Sequence, residues 1–255
     1  MIEERPIMKV AFFPGCMVDM FYPEVGMAAV RVLERLGCDV VLPDNQVCCG
    51  QPFFNSGYSD AAKPMMKNVI DAYQGYETIV SLTGSCAYAI KGEYQHFLEN
   101  DDEYSRKLAA ISSRIYEFTE FIVDVLGMTD VGAHLDGVVT YHKSCHLTRL
   151  LGIKEQPLQL IENIHGLSYV EMPEADRCCG FGGTFSVKEP EISSHIVQEK
   201  VINALATDAD YLCGADQACL MNIKGRLDRM RDRGEITSTM KVVHIAQLLD
   251  LGMGK

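Results

Sequence analysis

Apolar positions along the chain follow two rhythms that alternate. Met8 to Phe13 is a short apolar, β-prone run that stops at Pro14-Gly15. Pro23 then suits a first helical turn, and Val25, Ala28, Ala29, Val32, Leu33 and Leu36 recur on one helix face until Gly37. Cys38 to Leu42 is a second strand-like run leading into Pro43-Asp44-Asn45. Ser59-Asp60 caps a helix with Ala62, Met65, Met66, Val69, Ile70 and Tyr73 on its apolar side, and Thr78 to Leu82 is a third strand. The same order then begins again. Val138 to Tyr141 is a strand, Pro157 opens a helix through Leu158, Ile161 and Ile164, and Ser168 to Met172 is the next strand. Glu191 to Leu205 is amphipathic, and Asp210 to Leu212 is the last strand of the set.

Strands alternating with helices predict an α/β protein of two pseudo-symmetric βαβ-type domains with parallel sheets. Each half closes on a similar segment, Phe121 to Gly127 in the first and Ile245 to Gly252 in the second. The expected domains are 1–130 and 131–255, with the boundary inside Met128 to Gly137. Glu99 to Arg114 has no second-half counterpart of equal length and reads as a polar helix or loop inserted at the surface. Parallel sheets of this kind bind ligands in the loops at their carboxyl edge. Three loops per half can therefore meet at one site.

Those loops carry cysteine. Cys16, the pair Cys48-Cys49 before Gly50, and Cys86 are answered by Cys145, the pair Cys178-Cys179 before Gly180, and Cys219. The pairs recur at an offset of 130 residues, and the first and last members at 129 and 133. Eight of the ten cysteines belong to this repeat. A core tolerant of small apolar residues would scatter its thiols, whereas two sets of four imply a site that needs sulfur.

Composition narrows the chemistry. Met1 to Pro6 lacks the apolar core of a signal peptide, and no apolar stretch approaches the roughly 20 residues of a membrane helix, so a cytoplasmic protein without a membrane span is expected. Thiols stay reduced there, which favours metal-binding or catalytic cysteines over disulfides. A formal charge of −12 without a basic stripe argues against a nucleic-acid partner. Structural zinc usually takes cysteines two to four residues apart. Directly adjacent thiolates more readily serve different irons of one cluster, and Gly50 and Gly180 would let the backbone approach inorganic sulfur. Iron–sulfur clusters, zinc, and metal-free redox or inert thiols all remain open on these grounds.

The other signals are weaker. Gly180-Phe181-Gly182-Gly183 lacks the lysine of a phosphate loop. Cys38 begins an apolar strand and Cys213 lies in one, so both read as core. His142, Lys143, His146 and Arg149 surround Cys145 and Lys188 follows the second glycine loop; of these Lys143, His146 and Lys188 are candidate contacts for a substrate carboxylate or hydroxyl, as a hydroxy-acid oxidation would require. The alternative is that they are ordinary loop residues.

The cysteine spacing, with 31 and 36 residues between successive groups in the first half and 32 and 39 in the second, resembles the cysteine-rich CCG domain. Cys48-Cys49-Gly50-Gln51-Pro52 with Asn55-Ser56-Gly57-Tyr58, Cys178 to Val187, Gly84-Ser85-Cys86, and Gly214-Ala215-Asp216 before Cys219 are similar to the signatures of the lactate utilization protein A family. That family is related to the CCG-bearing subunit of heterodisulfide reductase and to the glycolate oxidase iron–sulfur subunit. The resemblance implies an iron–sulfur oxidoreductase subunit of a multi-subunit complex oxidising L-lactate to pyruvate. It also implies a ferredoxin-type iron–sulfur partner and a further lactate-utilization subunit.

By the same resemblance Cys16, Cys48, Cys49 and Cys86 would hold one cluster, and Cys145, Cys178, Cys179 and Cys219 another. The fullest CCG motif ends in a C-x-x-C pair, and here Thr83 and Asp216 stand in place of its earlier cysteine. Four sulfurs suit a 4Fe-4S cluster or leave one iron with a non-cysteine ligand. A heterodisulfide-reductase-like thiol/disulfide subunit and a non-catalytic zinc scaffold are the competing readings.

Overall fold

The structure is a computed structural model that describes residues 7–254, so the leading segment read above for a signal lies outside the described residues. The chain forms two compact units that divide between Phe121 and Ile122, ahead of the boundary expected at 130. No helix among the described residues is long and apolar enough to cross a membrane.

The first unit holds β1 (Met8–Phe13), β2 (Cys38–Val41), β3 (Ile79–Ser81) and β4 (Ile115–Glu117), hydrogen-bonded in the order β2-β1-β3-β4 and parallel throughout. The second holds β5 (His134–His142), β6 (His165–Tyr169), β7 (Tyr211–Gly214) and β8 (Lys241–His244), in the order β6-β5-β7-β8, again all parallel. The expected α/β architecture of two similar parallel-sheet domains is therefore present. Helix Ser59–Tyr73 buries Met66, Val69, Ile70 and Tyr73 in one core with Phe13, Ile79, Cys49 and Cys86. Helix Pro190–Leu205 buries Val197, Val201 and Ala204 with Leu212, Cys179 and Cys219. Each core thus continues into the cysteine loops, and burial that stabilises the fold also fixes the thiols.

Four elements differ from the hydrophobic pattern. The fourth strands β4 and β8 were not anticipated, because three- and four-residue runs beside polar neighbours carry too little periodicity to be told from loop. They exist because β3 and β7 each offer a free edge, which Ile115–Glu117 and Lys241–His244 complete. Strand β6 lies earlier than Ser168 to Met172, since β5 begins at His134 and pairs it with His165. The supposed insertion contains the helix Asp102–Ser112, capped by Asp101 accepting from the Tyr104 N–H at 3.2 Å, with Leu108 and Ile111 buried. It is part of the first core.

Each fourth strand ends in a buried polar cap. The Glu117 Oε2 accepts from the backbone N–H of Thr119 at 2.7 Å and of Glu120 at 3.3 Å, while Glu120 Oε2 accepts from the Glu117 N–H at 2.9 Å. His244 plays the same part in the second unit, its Nδ1 accepting from Ala246 N–H at 3.2 Å. Burial pushes the Glu117 carboxyl up to about 8, against the lowering effect of its hydrogen bonds. Between the ordinary carboxyl range near 4.5 and about 8 the folded chain therefore binds a proton that the unfolded chain has lost, and stability falls as pH rises through that window. Glu117→Gln, which keeps the acceptor and removes the charge, is expected to flatten this slope and to raise Tm at pH 8. Thermal melts of both proteins at pH 5 and pH 8 check it, and parallel pH trends would contradict it.

Candidate metal centres

In each sheet the first strand has neighbours on both sides, β2 and β3 for β1, and β6 and β7 for β5. The chain direction across the sheet reverses at this point, which opens a crevice beyond the strand ends. Cys16 follows β1 and Cys86 follows β3, so they flank the first crevice, and the loop after β2 brings Cys48-Cys49 to it. Cys145 after β5, Cys219 after β7 and Cys178-Cys179 after β6 repeat the arrangement. The topology, rather than any local motif, gathers residues that lie far apart along the chain.

In the first unit the Cys16 and Cys48 sulfurs are 3.4 Å apart. Cys49 contacts Cys48 and Cys86, and Cys86 lies close enough to act electrostatically on Cys16. All four predicted sulfurs are brought together. Gly15, at φ +79°, closes one wall: a Cβ there would stand 3.2 Å from Cys86 Sγ and 3.1 Å from Thr83 Oγ1. The Thr83 hydroxyl is buried at that wall without a partner among the described residues. In the second unit Cys179 and Cys219 sulfurs are 2.9 Å apart, Cys178 contacts Cys179, and Cys145 interacts with Cys178 and Cys219.

Both pairs precede a left-handed glycine, Gly50 at φ +82° and Gly180 at φ +79°. At Gly180 an added Cβ would fall 2.8 Å from the Ser193 carbonyl oxygen, so this glycine admits helix Pro190–Leu205. Its N–H meanwhile donates to Cys178 Sγ at 3.3 Å. The second cysteine of each pair is held through its carbonyl. Tyr94 O–H donates to the Cys49 carbonyl at 2.6 Å, and Asn222 Nδ2 donates to the Cys179 carbonyl at 2.9 Å.

Crowding controls the thiols. Contacts from Cys16 and Cys49 hold Cys48 well below the usual thiol range, whereas the contact with Cys48 and then burial push Cys16 up. In the second set burial and the neighbouring Cys178 raise Cys145, and the contact with Cys179 followed by burial raises Cys178. Cys219 is lowered by its contact with Cys179 but burial prevails, taking it to about 11. Buried sulfurs this close cannot all ionise against one another, so full deprotonation requires a cationic partner. Four soft thiolates per site fit an iron–sulfur cluster or another thiophilic metal.

Residues 10–91 and 139–224 each match the Cysteine-rich domain family, CCG. Lactate utilization protein A 1 of Bacillus cereus (strain AH820) is 50% identical over 243 residues, covering 95% of this chain and 99% of that protein. Lactate utilization protein A of Bacillus thuringiensis (strain Al Hakam) is similar to the same extent. The chain belongs to the lactate utilization protein A family of CCG proteins. Among solved structures, that of a hypothetical protein from Helicobacter pylori matches 98% of this chain at a TM-score of 0.60 and 12% identity. The chain spans 50% of that protein's length, and the likeness is one of fold.

Within this CCG protein the two remaining cysteines lie apart from the crevices. Cys38 pairs with Met8 at the amino edge of its sheet, and Cys213 is wholly buried in β7 opposite Tyr141. Lys143 is paired with Glu171 at 2.5 Å, His146 Nδ1 is 3.5 Å from Cys145 Sγ, and Lys188 is exposed at the end of the short helix Phe185–Lys188.

Two buried groups stand out in the second CCG unit: His142, already noted in the sequence beside Cys145, and Lys200, not singled out there. His142, at the end of β5, has a ligand nitrogen within 4.8 Å of the Cys179 and Cys219 sulfurs, which are likewise mutually within that distance. Burial and then nearby Lys200 hold it neutral, with its pKa lowered to about 3. Lys200 is fully buried and donates to the carbonyls of Glu174 at 2.7 Å and Ala175 at 3.1 Å. In the sequence His142 is marked only by lying three positions before Cys145, which does not show its burial. For Lys200 the signal was a lysine on the apolar face of a helix, where a charge needs a partner.

Proposed function

We propose that this chain is an iron–sulfur redox subunit of lactate utilization, with one cluster in each CCG unit. Cys16, Cys48, Cys49 and Cys86 would hold the first, and Cys145, Cys178, Cys179 and Cys219 the second. The observation that carries this reading is the repeated gathering of four sulfurs at a sheet's carboxyl edge, in a chain half identical to proteins named for lactate utilization. A bound cluster would supply one-electron transfer, and a 4Fe-4S type suits four thiolates. The protein's part is to keep the thiolates converged through Tyr94 and Asn222 and to exclude water from the buried ones, Cys49, Cys86, Cys179 and Cys219.

Oxidation of L-lactate to pyruvate is the reaction we assign to the complex containing this subunit. A hydroxy acid gives up its electrons in pairs and bound clusters would carry them singly, a division of labour that calls for a ferredoxin-type partner subunit and a further lactate-utilization subunit in the cytoplasm. Lys188 is the most exposed of the three candidates for substrate contact, with His146 beside Cys145 and Lys143 paired with Glu171.

Iron and acid-labile sulfide measured on protein purified and reconstituted without oxygen test the reading. Brown protein carrying more than one iron per site, with matching sulfide, is the expected result. The His142, Cys179 and Cys219 group would also suit zinc, and colourless protein that takes up zinc alone would establish that scaffold reading instead.

A further inference from the structure

The two cysteine sets are alike, but the walls behind them differ. Three residues before Cys16 stands Phe13, buried in the first core, and three residues before Cys145 stands His142. Likewise Ile70 follows Cys49 by 21 positions where Lys200 follows Cys179 by 21. At these two positions the first crevice is backed by hydrocarbon and the second by an imidazole and an ammonium, while the first has the Thr83 hydroxyl at its wall.

His142 is 1% exposed, and neither ring nitrogen has a hydrogen-bond partner among the described residues. A buried polar group left in this way is destabilising, so its retention calls for a partner. Among the described residues the one backbone acceptor that acts on the ring, the Ala175 carbonyl, is already shared. Its oxygen accepts from Lys143 N–H and from Lys200 Nζ, each at 3.1 Å. What remains within reach are the Cys179 and Cys219 sulfurs. A neutral imidazole carries one N–H, and a thiolate bound to iron is an acceptor. Hydrogen bonds to cluster sulfurs, together with net charge and burial, set the potential of such a cluster.

Resting on the cluster reading above, we infer that His142 is a positioning residue whose ring N–H donates to the Cys179 or Cys219 sulfur of the second cluster, so that this cluster accepts an electron more readily than the first. Phe13 offers its cluster no such donor, and the Thr83 hydroxyl at the first wall is a neutral donor without the buried charge that Lys200 adds to the second. Lys200 supports the arrangement by occupying the Ala175 oxygen and by placing a buried positive charge on the same side.

The test is a dithionite titration of the reconstituted full-length protein followed by EPR, comparing wild type with His142→Phe, which installs the first unit's residue, and His142→Gln, which keeps an N–H. Wild type is expected to reduce in two waves. In His142→Phe the higher wave should fall by about tenfold in equilibrium constant, ~59 mV for a one-electron couple, with iron and sulfide unchanged and the lower wave unmoved. His142→Gln should recover most of the shift. Unmoved waves in His142→Phe, or an equal shift in both variants, would overturn the inference. Loss of the second cluster's iron in His142→Phe would overturn it too, by making the imidazole a ligand.

Wild-type protein labelled with 15N-histidine gives a readout that needs no variant. A weak nitrogen coupling to the reduced cluster supports the hydrogen bond, and a strong coupling or none at all rejects it. Colourless wild-type protein would reject the cluster reading itself, and this inference with it.

Discussion

Serine in place of Cys179 is expected to remove roughly half of the iron from the anaerobically reconstituted protein, because a hydroxyl is a far poorer ligand for a soft site than a thiolate. Cys49→Ser should do the same at the other unit, and the double variant should hold almost none. Cys38→Ser is the control. Its sulfur sits where β2 starts beside Met8, at the sheet edge opposite the crevice, and its iron content should match wild type. The geometry explains why the second cysteine of each pair should matter so much. Cys49 touches both Cys48 and Cys86, and Cys179 touches both Cys178 and Cys219, so each joins its pair to the cysteine that follows the third strand of its unit. Iron retained in full by Cys179→Ser, or lost equally from Cys38→Ser, would mean that the thiols are partitioned differently.

Cells lacking this chain should fail to grow on L-lactate while growing normally on pyruvate. Wild type supplied in trans should restore growth, and the Cys49→Ser, Cys179→Ser double variant should not. The expectation combines two independent supports, 50% identity across 95% of the chain to Lactate utilization protein A 1 and the two converged cysteine sets. Undiminished growth of the deletion strain on L-lactate would remove the physiological reading and leave the metal chemistry standing. Full rescue by the double variant would instead keep the physiological role and remove the clusters from it. Growth curves on the two carbon sources separate these cases.

Much of this protein is legible in one dimension, since its strands and helices announce themselves by period. Met8 to Phe13 and Ser59 to Tyr73 were plain because a buried parallel strand must be apolar throughout and a helix on a sheet must be apolar along one face. The cysteine repeat was plainer still, as four thiols returning at nearly constant offsets need no structure to be noticed. β4 and β8 were not legible. Their three and four residues become strands through a neighbour's unpaired edge, which sequence does not display.

The sequence by itself determined the duplication, the α/β class and the eight sulfurs, because each leaves a local or periodic trace. Only the tertiary structure decided what surrounds those sulfurs. Tyr94 and Asn222, which hold the two cysteine carbonyls, share no motif and come from differently built segments of the repeat. His142 and Lys200 could be judged only once burial and the occupied Ala175 carbonyl were known, for a histidine or lysine in a sequence carries no mark of its solvent or its partners. Local spacing fixes which groups are present, while three-dimensional packing fixes their dielectric and their neighbours, and it is the latter that makes two similar cysteine sets chemically unequal.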